Sequence, residues 1–235
     1  MKSVNFEDIQ QKLYERLKPS GWADKLKGFL LSSDMEKILV QLHKEKMEGK
    51  RFTPPVRTML RAFEVCPYKE LKVVMLGQDA YWQPEVADGL AFSCGNTMKV
   101  EASLRYIFKS LEETVYPDGY VWFPDLARWA EQGVLLINTA LTTTVGKVGQ
   151  HYMLWRPFLS YLFDVLNWNN SGMIYVYFGK KAQEWSKAVA ENNHKFMVSH
   201  PASAAYINAE RWECEDIWNK VNNVLYKYNG CKIQW

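Results

Sequence analysis

Four short apolar runs constrain this chain more than any other feature of its sequence. They are residues 71–76 (LKVVML), 134–137 (VLLI), 173–178 (MIYVYF) and 195–199 (KFMVS). None alternates apolar with polar positions, and each favours β-branched or aromatic side chains. A strand that is apolar throughout is buried on both faces, as in a parallel sheet. Between and around the runs lie segments with apolar residues at three- and four-residue spacing: SLRYIFKSLEETV, LARWAEQ, WRPFLSYLFDVLNW and AQEWSKAVAEN. These read as helices. Strands alternating with helices predict an α/β fold, a three-layer α/β/α sandwich around a central four-stranded parallel sheet.

The flanking regions read as helical too. FEDIQQKLYERL and DMEKILVQLHKEKMEGK carry helical spacing, with Ser33 and Asp34 where an N-cap belongs. RFTPPVRTML holds a Pro54-Pro55 turn, with a short helix expected through Phe63, and ERWECEDIWNKVNNVLYKY reads as a C-terminal helix. There is no internal repeat. The 235 residues, 48% hydrophobic, suit one domain. We expect it to comprise a mainly helical part over 1–70, the sheet and its loops over 71–200, and a loop with the final helix over 201–235.

Composition narrows the chemistry. No apolar stretch is long enough to span a bilayer, and the N-terminus lacks the apolar run of a secretory signal, so an intracellular, soluble protein is expected, cytoplasmic or nuclear according to its source. A net charge of +3 permits nucleic-acid binding without demanding it. The four cysteines form no C-x-x-C pair, and the four histidines complete no zinc pattern, so neither metal nor cofactor is expected.

The residues just past each apolar run are more informative. Gly77-Gln78-Asp79 succeeds the first, Asn138 the second, Gly179-Lys180-Lys181 the third and His200-Pro201 the fourth. Open α/β sheets bind ligands outside the carboxyl ends of their strands. An acid, an amide, a basic pair and a histidine are therefore expected to converge on one crevice. Asp and His supply acid–base or electrostatic chemistry, and an amide can read a heterocycle's edge through both a donor and an acceptor.

The stretch GQDAYWQPEVADGLAFS resembles, without a gap, the water-activating loop of the metal-free uracil-DNA glycosylases, whose pattern is close to GQDPYHGPGQAHGLAFS. WAEQGVLLINTALT, YFGKKAQ and SHPAS resemble later segments of that family in the same order, and the resemblance runs from about Trp22 onward. It implies an enzyme that flips uracil out of DNA and hydrolyses its N-glycosidic bond. By that resemblance Asp79 orients the attacking water, and His200 hydrogen-bonds uracil O2. Gln78 meets O2 through its backbone, Asn138 pairs with N3–H and O4, Phe92 stacks on the base, and Tyr81 walls off C5. Ser103, Lys180, Ser203, Ala204 and Tyr206 fall in DNA-contacting segments. Uracil-containing DNA, single- or double-stranded, is the implied partner, a proteinaceous inhibitor of such enzymes a further one, and a monomer the expected state.

The chain also departs from the pattern. Ala80 replaces a proline and Trp82 a histidine. Ala204 stands where a leucine normally wedges into the duplex, and Lys180 where a phosphate-binding serine is common. These departures keep an alternative in view: a catalytically weak DNA-binding or replication accessory protein built on the same fold. A glycosylase for another damaged base is a third reading, against which Tyr81 and Asn138 speak.

Overall fold

The computed structural model describes residues 4–235. Its elements, in chain order, are α1 (Phe6–Arg16), α2 (Ala23–Leu30), α3 (Ser33–Met47), β1 (Phe52–Thr53), α4 (Arg61–Val65), β2 (Val73–Asp79), α5 (Ala102–Thr114) and α6 (Ala127–Ala130). Then come β3 (Val134–Ala140), β4 (Thr143–Thr144), α7 (Tyr152–Asn169), β5 (Ile174–Phe178), α8 (Lys180–Gln183), β6 (His194–Val198), α9 (Pro201–Tyr206) and α10 (Ile217–Asn229). Four strands form one parallel sheet in the order β3-β2-β5-β6, flanked by helices. This is the α/β arrangement that the apolar runs predict. β1 and β4 pair separately, antiparallel, with Phe52 opposite Thr144. No helix among the described residues is long and apolar enough to cross a membrane.

Every residue of β3 and β5 is buried, as are the first five of β2. β6 departs from the expectation of two buried faces. It is an edge strand with only Val198 buried, and Met197 is 49% exposed. Two functional segments also sit differently from the expectation. Gln78, Asp79 and Asn138 lie within β2 and β3, not after them, and Gly77 pairs with Asn138 as Asp79 pairs with Ala140. The ladder therefore holds them.

Several helices differ in extent. The cap of α3 is Ser32, one residue before the expected pair, and its hydroxyl accepts from the amides of Asp34 and Met35. AQEWSKAVAEN does not form one helix; α8 gives way to a 3-10 turn over Glu184–Ala188. The last helix starts at Ile217, and Trp212 and Cys214 are instead buried at two-residue spacing in an extended segment. Trp212 donates its indole N–H to Ser199 Oγ (2.8 Å), which ties this segment to the end of β6. α2, which the sequence does not announce, forms around Gly28 because Leu26, Phe29 and Leu30 are buried, and a side chain at Gly28 would collide with the Tyr161 hydroxyl.

Candidate active site

β2 has β3 on one side and β5 on the other, so the chain turns in opposite directions from it. At such a switch point a crevice opens outside the strand ends. Here it has a volume of about 420 Å³, and Gln78, Asp79, Tyr81, Phe92, Ser103 and His200 are among the residues lining it.

Asp79 ends β2. Its Oδ2 accepts a hydrogen bond from the Gly149 amide, whereas Oδ1 is buried without a partner among the described residues. Burial pushes the carboxyl from 3.8 up to about 7, although the Gly149 amide, the Thr143 hydroxyl and the Ala80 amide all favour the ionised form. The site thus holds a carboxylate that is half ionised near neutrality, with one oxygen hydrogen-bonded and the other buried and unpartnered.

His200 caps α9. Its Nδ1 accepts from the Ala202 amide (3.1 Å), and burial lowers the imidazole from 6.5 to about 4. A backbone N–H can only donate, so Nδ1 carries a lone pair. At neutral pH the single ring proton therefore sits on Nε2, and His200 presents an uncharged N–H donor. Gly179, with φ of 82°, makes room for it: a Cβ there would lie 2.8 Å from the His200 Cβ.

Phe92 is held tightly. Its ring meets Phe178 edge-on at 4.9 Å and lies 5.7 Å from the His200 ring. Its φ of 66° is left-handed, a strain of roughly 1–3 kcal/mol for a non-glycine residue. The surrounding loop over-determines that conformation. Arg61 bridges buried Asp88 (2.7 Å) and Asp125 (2.9 Å), and Asp88 in turn accepts from Ser93 Oγ (2.6 Å) and the Gly95 amide (3.0 Å). The Tyr81 hydroxyl donates to the Phe92 carbonyl (3.3 Å) and so fixes the tyrosine against the same loop.

Asn138 lies beneath this group. It is 9% exposed. A Cβ on Gly77 would stand 2.3 Å from Asn138 Oδ1 and 3.4 Å from the Phe92 ring. Only glycine at 77 permits amide and ring to approach. Asn138 is thus brought close to the crevice floor without being among its lining residues.

The remaining sequence candidates separate. Ser103, Ser203 and Tyr206 line the crevice; Lys180 and Ala204 do not. Lys180 is an exposed first residue of α8. The DNA-facing position expected for Ala204 is corrected by the structure: α9 turns it inward, and it is 6% exposed. Tyr206 and Ile207 project instead, 81% and 77% exposed. Among the described residues no lysine or arginine lines the crevice; its titratable lining residues are Asp79, Tyr81, Glu101, His200 and Tyr206.

Sequence reasoning does not reach Gly149, which acts through its backbone, or Gln83 and Tyr152, each with a buried unpartnered oxygen. Gln83 lines the crevice, and Tyr152 is close enough for the Asp79 charge to raise its phenol. The glycine pair in TVGKVGQHY is the only trace of a loop there. Among the described residues no group of three or more His, Cys, Asp or Glu could hold a metal ion.

In sequence and fold the chain is similar to known proteins. The sequence profile of the Uracil DNA glycosylase superfamily matches residues 63–222. A uracil-DNA glycosylase of Acinetobacter baumannii (strain SDF) is 32% identical over 231 residues, 97% of each chain. The crystal structure of mimivirus uracil-DNA glycosylase superposes with a TM-score of 0.82 at 25% identity, covering 94% of this chain and 88% of that one. A mimivirus UNG variant in complex with UGI gives 0.81 at 25% identity, over 91% and 87%.

Proposed function

Because the chain belongs to the uracil DNA glycosylase superfamily, we propose that its crevice excises uracil from DNA by dividing the work between Asp79 and His200. The reaction is a hydrolysis of an N-glycosyl bond. Water adds to the anomeric carbon of deoxyribose, the bond to uracil N1 breaks, and its electron pair leaves with the base. Positive charge builds on the sugar and negative charge on the uracil, and groups aimed at those charges stabilise the transition state.

Asp79 serves the sugar side. With Oδ2 fixed by Gly149, the carboxylate orients the attacking water and stabilises the cationic sugar. His200 serves the base side: its Nε2–H donates to O2 as charge accumulates there, and the Gln78 backbone stands beside it. Phe92 stacks on the ring. The Asn138 amide pairs with N3–H and O4, a pattern that cytosine reverses, and Tyr81 occupies the space that a thymine methyl requires. The observation that carries this reading is one crevice lined by a carboxylate with an unpartnered oxygen and by a neutral histidine with its proton on Nε2.

The rim favours unpaired substrate. Extruding a base from a duplex costs a few kcal/mol, which an inserted side chain partly offsets. Ala204 is too small and faces inward, and in its segment Tyr206 and Ile207 project instead. Single-stranded uracil DNA is therefore the preferred substrate. An inhibitor of the UGI kind is a further partner, supported by the structural likeness to an enzyme captured with it.

The deciding experiment measures base release from uracil oligonucleotides, with cytosine and thymine controls, for wild type, Asp79→Asn and His200→Leu. Both variants are expected to slow single-turnover cleavage by about 10²–10³-fold. Near wild-type rates in both, or no uracil release by the wild type, would overturn the assignment, the latter in favour of a silent DNA-binding protein.

A further inference from the structure

Uracil hydrolysis by Asp79 and His200 makes no use of Glu45, yet this carboxylate is buried at 5% exposure on α3, outside the crevice. An isolated charge there costs several kcal/mol unless its lone pairs are met. They are met from two places. Oε1 receives His151 Nε2 at 3.0 Å and Gln41 Nε2 at 3.3 Å, while Oε2 receives the Thr144 hydroxyl at 3.0 Å. His151, 2% exposed, is held from its other side, with Nδ1 2.9 Å from Thr142 Oγ1, which also accepts the Trp155 indole N–H at 2.7 Å.

Thr144 and His151 are the two ends of one loop. Thr144 closes β4, and His151 immediately precedes α7. One carboxylate, with one oxygen for each end, therefore pins residues 145–150 at both ends. The loop is tied along its first half as well, by the Val145 amide to the Arg51 carbonyl (2.7 Å) and the Gly146 amide to the Trp82 carbonyl (3.0 Å). Its second half carries Val148, which lines the crevice, and Gly149, whose N–H is given to Asp79. The Gly149 carbonyl accepts from the Tyr152 amide (3.4 Å) at the start of α7, and His151, just before it, is held by Glu45 (3.0 Å), Thr142 (2.9 Å) and Thr144 (3.3 Å), so the Glu45–His151 contact is one of the anchors that set the height of the Gly149 amide over the carboxylate.

We propose that Glu45 is a positioning residue for uracil excision: by gripping Thr144 and His151 together it holds the Gly149 amide on Asp79, which keeps the carboxylate aimed and favours its ionised form. The inference rests on Asp79 being the carboxylate that activates water. Glu45 touches neither substrate nor crevice and acts only through the loop.

The test uses the full chain and a single-stranded uracil oligonucleotide. Single-turnover rates are followed from pH 5.5 to 9 for wild type, Glu45→Ala, Glu45→Gln and Thr144→Val, together with inhibition by free uracil. A hydrogen bond to a charged group contributes on the order of 1.5–3 kcal/mol, so its loss is expected to move the acid limb of the profile up by about one pH unit or more in Glu45→Ala. Glu45→Gln keeps one acceptor oxygen and is expected to move it less, with Thr144→Val between them. Uracil inhibition is expected to stay within about twofold, because the base-reading residues lie elsewhere. The other titratable groups at Asp79, namely His200, Glu101, Tyr81, Tyr206 and Tyr152, are unaltered in all three variants. In an Asp79→Asn background, adding Glu45→Ala is expected to leave the residual rate unchanged.

A folded Glu45→Ala whose acid limb stays in place overturns the inference, as does a rate loss matched by an equal loss of uracil inhibition. Should the alanine variant not fold, Glu45→Gln and Thr144→Val decide by the same readout. Failure of the premise is distinguishable, because Asp79→Asn alone would then cleave at the wild-type rate whatever the loop variants do.

Discussion

Above neutral pH the Asp79 carboxylate is ionised in a crevice that disfavours charge, and the fold bears that cost. The perturbation that exposes it is Asp79→Asn, which keeps an oxygen to accept from Gly149 and removes the titration. The wild-type carboxyl ionises at 3.8 when unfolded and at about 7 when folded. The folded state therefore binds the proton more tightly. The stability this contributes is fully present below pH 3.8 and is lost as pH rises through about 7. At about 1.4 kcal/mol per pH unit the interval amounts to about 4 kcal/mol. The Asn variant escapes that loss. Its stability relative to wild type should thus grow by about 4 kcal/mol between pH 4 and pH 8, most of it before pH 7. For a chain of this length that corresponds to a gain in relative Tm of roughly 8–16 °C. Thermal melts of both proteins at half-unit pH steps measure it, since all other groups titrate alike in the two. A difference that stays flat with pH, or that shrinks as pH rises, would refute the claim that burial dominates at Asp79.

The other expectations concern rate and substrate. The wild-type single-turnover rate should fall about tenfold per pH unit below about 7, as Asp79 protonates, with no second limb from His200 above pH 5, because its imidazole titrates near 4; a flat profile from pH 5.5 to 8 contradicts this. Tyr81→Ala should release thymine slowly from oligonucleotides while retaining uracil activity, and a folded variant without thymine release would show that the ring is not the wall. Tyr206→Ala should slow cleavage of duplex substrate more than of single strands, measured as the ratio of the two rates; an unchanged ratio removes Tyr206 as the inserting group. Ala204→Leu should destabilise the protein by about 1–3 kcal/mol through overpacking without improving duplex cleavage, a point for denaturant titration beside the rate assay.

The sheet was legible because four runs of uniformly apolar residues have few other ways to be buried. β6 shows the limit of that signal: an edge strand can carry an apolar run in sequence while only Val198 of it is buried. Asp79, Asn138 and His200 were legible because chemistry-bearing residues directly abut those runs. What could not be read depends on backbone and on direction. Gly149 contributes an N–H that every residue but proline possesses, so its role leaves no mark in the sequence. Ala204 occupies the expected place in the chain, but the short helix α9 rotates it inward and Tyr206 outward. The segment before α10 carries Trp212 and Cys214 at two-residue spacing, a non-helical signal that the helical pattern beginning at Ile217 masks.

The pairing of Gly77 with Asn138 in adjacent strands has a consequence for how this protein can change over evolutionary time. Asn138, proposed to pair with N3–H and O4, is a rung of the central ladder, and a single added carbon at 77 would strike its amide. The residues proposed to handle the strand, Ser103 and Tyr206, stand on helices at the rim, where side chains can be exchanged without moving the sheet. Lineages descending from such a chain are free to drift between single- and double-stranded DNA by point mutation at the rim, while the amide that reads N3–H and O4 stays frozen.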